Sequence, residues 1–404
     1  MLQFTETPIL PPHPLHQYEL TPFSNNLIMS NNVNPFHRTR PWPGFLTSKT
    51  LGSFGDANCM EQLLVHCANA IDSNDATLAQ QILWVLNNIA PPDGDSSQRL
   101  TCGFLRALIA RAAKTGSCTM LTAMATAQIP TLIDSIANRS EGPPLIKLTV
   151  AGATTDVPPL LDLSYEELGS KLVNFARSRN VGMEFRVIPS SSSDGFASLV
   201  EQLRAVQQLI LANGGGEGEA LVINCHMMLH YIPEETLGVT PYCFESSSTS
   251  SLRTMFLTAI RSLEPTIVVL VDEDADFTSN NLVCRLRSAF DYLWIPYDTM
   301  DTFFPKGSKQ KQWYEADLCW KIENLIAQEG VQRVERLEPK SRWIQRMQSA
   351  NFRGIQFSEE TVLEVKSMLD EHAAGWGLKK EEDEGLVLTW KGHNVVFSTA
   401  WVPA

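Results

Sequence analysis

The stretch ALVINCHMMLHY, residues 220–231, decides the fold class. It opens on the apolar run Leu221-Val222-Ile223, behind a glycine-rich turn at 213–218, and becomes polar and bulky from Asn224 through Cys225 and His226. So apolar a run reads as a strand covered on both faces. A second run, TIVVLV at 266–271, ends in the acidic turn Asp272-Glu273-Asp274. Each run is reached through a helical segment. That predicts parallel strands in an open sheet with helices on both sides.

The same alternation extends upstream. Residues 145–150 (LIKLTV) and 183–188 (MEFRVI) read as strands. Residues 163–177 read as a helix, with Ser164 and Glu167 spaced as a capping box. Helices are also expected over 196–211, 251–263, 282–292 and 314–328, and over 117–138 with a break at Pro130. Nearer the start, Met60, Leu63, Leu64, Cys67 and Ile71 follow helical spacing. Two more amphipathic helices follow, the first stopped by Pro91-Pro92 and the second over 96–113. Their leucines read as intramolecular core, with a partner-binding leucine repeat as the sharper alternative. Residues 333–337, 387–390 and 395–398 read as late antiparallel strands. Residues 1–57 are rich in Pro, Asn, His and Ser and are predicted to be disordered, with PWPGFL at 41–46 as a candidate docking motif. The division is then a disordered segment at 1–57, a helical cap at 58–127 and an α/β core at 128–404.

Composition narrows the function. The chain has 404 residues, 44% hydrophobic and 19% charged, in the range of a protein with a sizeable core. A net charge of -13 argues against coating nucleic acid over the whole surface. The eight cysteines include no CxxC pair, so no zinc site is indicated and a reducing compartment is the simpler reading. The start shows no secretory signal, and no apolar run approaches the roughly 20 residues that span a bilayer.

Motifs of catalysis are sparse. Gly214-Gly215-Gly216 precedes its strand, so it is a connector and not a nucleotide-binding turn. His226 and His230 have helical zinc spacing, but Met227 stands where a zinc protease has Glu, and a structural role is the expectation. Asp272, Glu273, Asp274 and Asp276 read as a solvated acidic loop. Over 306–353 basic residues outnumber acidic ones. Lys306, Lys309, Lys311, Arg342 and Arg346 are the candidate phosphate contacts, and a merely solvated face is the alternative.

These residues resemble the plant GRAS family of transcription regulators, from about residue 58 to the end. MEQLLVHCANAI at 60–71 resembles the start of the family's first leucine-rich region, and 161–177 the second. Pro265, the Phe290/Tyr292 pair and RVER with Arg333 and Arg336 resemble the PFYRE segment. Trp343, Arg346-Met347, Trp376-Gly377, Trp390 and Trp401 resemble the SAW segment, with Thr399 where the family commonly has Ser. One departure is large: no VHIID-type strand lies between the two leucine-rich regions, and the first region is short. The resemblance implies a doubly wound, Rossmann-like sheet of the class I methyltransferase type under a helical cap, here lacking its first central strand. It implies a nuclear, non-enzymatic regulator with no cofactor and no small-molecule substrate. Its partners would be other transcription factors and other GRAS proteins, with DNA contact as a second route. The alternatives are an S-adenosylmethionine-dependent methyltransferase, or a defective variant retaining only partner surfaces. Losing a strand of about six residues, with some five apolar side chains, removes on the order of 10 kcal/mol. Either 145–150 closes up on 220–223 or the sheet is disturbed.

Overall fold

A computed structural model describes residues 57–113, 128–140, 142–153, 164–212, 219–233, 251–372, 374–381 and 385–404. The expectations for 1–56, for 114–127 and for the glycine turn at 213–218 lie outside the described residues.

Three helices begin the described chain: α1 (Ala57–Asp72), α2 (Ala76–Ile89) and α3 (Ser96–Ala113). Each starts or stops where local chemistry dictates. Asp75 caps α2 by accepting from the Leu78 amide, which has no carbonyl partner in its own first turn. Asp95 and Gln98 exchange hydrogen bonds at the start of α3. The apolar faces, including Met60, Leu64, Ile82, Leu86, Phe104 and Leu108, do not close on one another alone. They join a single cluster with α8 (Leu282–Phe303) and α9 (Lys309–Ala327), and that cluster extends to Phe277, Leu337 and Trp390. The leucines of this layer thus pack within the chain.

The α/β part runs α4 (Gln128–Ala137), β1 (Ile146–Ala153), α5 (Tyr165–Ser178), β2 (Met183–Ser190), α6 (Ala197–Ala212), β3 (Val222–His226), α7 (Leu252–Arg261) and β4 (Ile267–Glu273). The capping box at Ser164 and Glu167 is formed. Pro130 does not interrupt α4, because it stands in the first turn, where a missing N–H breaks no helical bond. After α9 come α10 (Lys340–Ser349), β5 (Phe352–Ile355), α11 (Glu359–Asp370), β6 (Trp376–Lys380), β7 (Leu386–Trp390) and β8 (His393–Pro403).

The strands form two sheets. β1 and β2 pair in parallel from Ile146↔Met183 to Ala153↔Ser190. The second sheet has the order β3-β4-β8-β7-β6, with β5 added to β8. β3 and β4 are parallel and the remaining pairs antiparallel. Its inner layer packs Phe256, Leu257 and Ile260 of α7 and Trp343 and Met347 of α10 against Val268, Leu270, Phe397 and Trp401. At Gly375, φ is +136° and a Cβ would lie 2.8 Å from the Trp390 ring, so only glycine lets the chain pass there.

Four expectations are corrected. Among the described residues β3 is an edge strand, paired with β4 alone, and it is not covered on both faces, since Val222 is 57% exposed. Residues 145–150 have not closed up on β3: among the described residues β1 pairs with β2 and with no other strand. Residues 333–337 form no strand. Asn324 of α9 takes the Val334 and Glu335 amides on its Oδ1, at 2.9 and 3.0 Å, where a neighbouring strand would otherwise accept them. Finally, α8 continues past Tyr292 and through Pro296 to Phe303, because Ile295, Tyr297 and Met300 bury on the helical cluster. That burial outweighs the loss of one backbone bond.

Candidate functional site at the strand ends and the basic segment

Parallel strands converge on their carboxyl ends, where ligands of open α/β sheets bind. Here β3 and β4 deliver a buried polar network. Past β3, Met227 takes φ +53° and donates its N–H to the Val271 carbonyl at 2.8 Å. The short turn that follows carries His230 inward. Its Nδ1 lies 2.9 and 3.1 Å from the two oxygens of Asp272, and its Nε2 lies 3.8 Å from Glu335 Oε2. Lys321 of α9 pairs with Glu273 and lies 3.5 Å from Glu335. The Tyr231 hydroxyl donates to Glu335 at 3.2 Å. The Tyr292 hydroxyl stands 3.1 Å from Glu273 and 2.9 Å from the Val395 carbonyl.

Burial sets the titration of this cluster. It works against a charged His230, yet the adjoining Asp272 prevails and holds the imidazole proton above the usual histidine range. Lys321 is likewise held protonated against burial by Glu273 and Glu335. Asp317, with Lys321 too weak to compensate, is pushed up by burial to about 7. Burial also raises both tyrosines well above their ordinary range.

A second network lies beneath. Arg253, fully buried, donates to the carbonyls of Ile232, His230 and Arg336 at 2.8, 2.9 and 3.0 Å and pairs with Glu338 at 3.0 Å. Its guanidinium stands 5.5 Å over the Trp343 ring. Arg346 grips Glu338 with two bonds of 2.8 Å. Arg333 donates to the Phe277 and Ser279 carbonyls and to Asn280, and Arg336 to the Arg333 and Gly330 carbonyls.

The basic excess of 306–353 therefore turns largely inward. Lys311 pairs with Asp301, Lys340 with Glu381, and Arg333, Arg336 and Arg346 are bound as described. Lys306, Lys309 and Arg353 are exposed. Arg342 is half-buried beside the Thr278 hydroxyl, with Glu338 at 3.8 Å. Of the acidic turn, Asp276 is exposed as expected, but the rest is no solvated loop. Asp272 is buried, and Asp274 accepts from the Lys340 amide and the Asn394 side chain, which fixes the turn to α10 and β8.

The remaining singled-out residues are packed. Pro265 is buried at the turn into β4. Phe290 lies against Phe104 in the helical cluster. Trp376 meets Trp390 edge to face at 5.0 Å, and Trp390 donates to Asp298 at 2.6 Å. Trp343 is buried, and Trp401 donates to the Thr399 hydroxyl at 2.9 Å, a role that Ser would fill equally. Among the described residues no group of three His, Cys, Asp or Glu is placed to hold a metal ion. Sequence reasoning missed Arg253 and Glu338. The signal was a charge in phase with the apolar face of α7: Arg253 precedes Phe256, Leu257 and Ile260 at helical spacing.

Together these features define a helix-capped α/β domain whose charged groups link its elements to one another. The profile of the GRAS domain family matches residues 60–127 and 121–402, and the chain belongs to that family. Scarecrow-like protein 32 of Arabidopsis thaliana is 52% identical over 416 residues, covering 89% of this chain and 97% of that protein. Scarecrow-like transcription factor PAT1, also from Arabidopsis thaliana, is 26% identical over 393 residues, covering 84% and 75%. The crystal structure of SCL7 in Oryza sativa has the same fold, with a TM-score of 0.65 at 19% identity, covering 85% of this chain and 99% of that one. This is a plant GRAS regulator with an α/β fold.

Proposed function

We propose that the chain is a nuclear regulator of transcription without catalysis of its own, acting through protein partners: other transcription factors, other GRAS proteins among them. The observation that carries this reading is family membership together with the likeness to a scarecrow-like transcription factor. Direct DNA contact is the second reading, supported by the exposure of Lys306 and Lys309 and the partial exposure of Arg342. Lys311 and Arg346, bound to carboxylates, are the weaker candidates of the original five.

The proposed sheet is doubly wound. One strand inserted between β1 and β3 would give the order β2-β1-x-β3-β4-β8-β7, the reversal expected of a Rossmann-like, methyltransferase-type sheet. The division into a cap at 58–127 and a core at 128–404 belongs to the same proposal.

The test is a tethered reporter. The full chain fused to a heterologous DNA-binding domain should change reporter output, and its fluorescent fusion should concentrate in nuclei. An inert, cytosolic fusion would overturn the reading, as would micromolar binding of S-adenosylmethionine by calorimetry. For DNA, Lys306→Ala with Lys309→Ala should weaken binding to all sequences alike and reduce the salt slope by about 2. An unchanged slope removes that route.

A further inference from the structure

Both sheets are open on the sides that flank the missing position. The Thr266 amide donates to the Leu221 carbonyl and the Met227 amide to the Val271 carbonyl, so the odd-numbered residues of β3 face β4. Strand alternation then turns the N–H and C=O of Val222 and Asn224 to the opposite edge. On β1, the Ile146 amide donates to the Gly182 carbonyl, so Lys147, Thr149 and Ala151 turn theirs away from β2. Among the described residues no ladder takes up either edge.

The two edges are neighbours. Lys147 of β1 pairs with Glu219, just before β3, at 2.8 Å. Ala151 packs on the same apolar cluster as Ile223 and Cys225. Apolar side chains stand exposed at the start of each strand: Leu145 is 55% and Val222 57% exposed. A natural edge strand is blunted by charge, proline or a bulge, and β3, reading Val-Ile-Asn-Cys-His, carries none of these.

The comparisons say what kind of segment belongs there. An alignment of 416 positions that uses 89% of a 404-residue chain leaves tens of positions in Scarecrow-like protein 32 without a counterpart here. The family profile has to be entered twice, its second match beginning at 121 before the first ends at 127. The skipped stretch thus falls upstream of α4, where a βα unit feeding this sheet would sit.

We propose that the slot between β1 and β3 is a strand-acceptor site. Its occupant is one extended segment of about five residues, running parallel to both strands and apolar on the face toward Ile223, Cys225 and Ala151. The chemistry is that of the stretch Scarecrow-like protein 32 carries and this chain skips, delivered by another polypeptide. Recognition is by backbone hydrogen bonds along two edges at once, with side-chain packing on one face. The inference rests on the strand order given above and not on the regulatory reading.

The test uses the full chain and tiled synthetic peptides covering the skipped stretch of Scarecrow-like protein 32. One peptide should bind saturably and raise the melting temperature with concentration. It should also slow hydrogen exchange about tenfold or more at the amides of Val222, Asn224, Lys147, Thr149 and Ala151. A scrambled peptide should do neither. Asn224→Pro removes one edge donor and leaves the β4 ladder intact, so it should abolish binding without lowering the peptide-free melting temperature. Thr149→Pro does the same from the β1 side if the first variant fails to fold. No binding, protection on one edge only, or protection elsewhere overturns the proposal. Protection gained only when the stretch is inserted between residues 127 and 128 also overturns it, while leaving the strand order standing.

Discussion

Glu338→Ala is the substitution from which the buried network should suffer most. The carboxylate is fully buried and holds Arg253 at 3.0 Å and Arg346 through two bonds of 2.8 Å. Removing it takes the carboxylate partner from two guanidiniums at once. Arg253 keeps three carbonyl acceptors and the Trp343 ring, so its loss is partial. Arg346 keeps the Ser251 and Thr254 hydroxyls, each at 3.3 Å, which are neutral acceptors in place of a carboxylate. Breaking a buried pair costs about 3–5 kcal/mol, a large share of a total stability of about 5–15 kcal/mol. With a urea m-value of about 3 kcal/mol/M, the unfolding midpoint should fall by on the order of 1 M. Glu338→Gln keeps an acceptor but not the charge and should lose about half as much. The assay is urea unfolding followed by tryptophan fluorescence, since Trp343 sits under Arg253. A Glu338→Ala midpoint within about 0.3 M of the parent, at equal m-value, would refute the account.

Three further outcomes are expected. Trp390→Ala should cost about 3–5 kcal/mol, because the ring is fully buried against Gly375 and Trp376; an unchanged melting temperature would deny that packing. Asp317 has its folded pKa raised to about 7 from 3.8, so the folded state holds a proton that the unfolded chain has released. Its stabilising contribution is present in acid and lost as pH rises through about 7. The melting temperature should therefore fall between about pH 4 and 7 in the parent and fall less in Asp317→Asn, and parallel curves would remove the assignment. Burial pushes the Cys67 and Cys225 thiols up to about 12, whereas Cys284 is exposed. Iodoacetamide at neutral pH should label Cys284 before Cys67 or Cys225, and mass spectrometry showing native Cys225 labelled as fast would contradict its burial.

What was legible in the sequence was local or periodic. The capping box at Ser164 and Glu167, the stop at Pro91-Pro92 and the β-α alternation from Ile146 to Glu273 depend on neighbours a few residues apart. What was not legible depends on partners distant in sequence. Residues 333–337 have strand-like composition, but Asn324 occupies their amides. The basic excess suggested a charged face, yet Arg333 and Arg336 point at carbonyls that only the folded chain brings near. His230 and Asp272 were each noticed alone; that they meet follows from adjacent parallel strands ending together. The open edge of β3 could not be read from its own apolar residues; it followed from the family resemblance, which implied a missing central strand beside 220–223.

β8 lies inside its sheet, bonded to β4, β5 and β7, although it follows β4 by about 120 residues. During synthesis, at about 5–20 residues per second, β4 must wait on the order of ten seconds for the strand that closes its far edge. Through that interval Val268 and Leu270 have α7 against them but lack Phe397 and Trp401. The backbone edge of β4 that β8 later takes is open, the kind of exposure that makes partly made chains prone to aggregate. A chain that stopped before residue 393 would lack the strand that joins β4 to β7, and the two halves of that sheet would have no ladder between them.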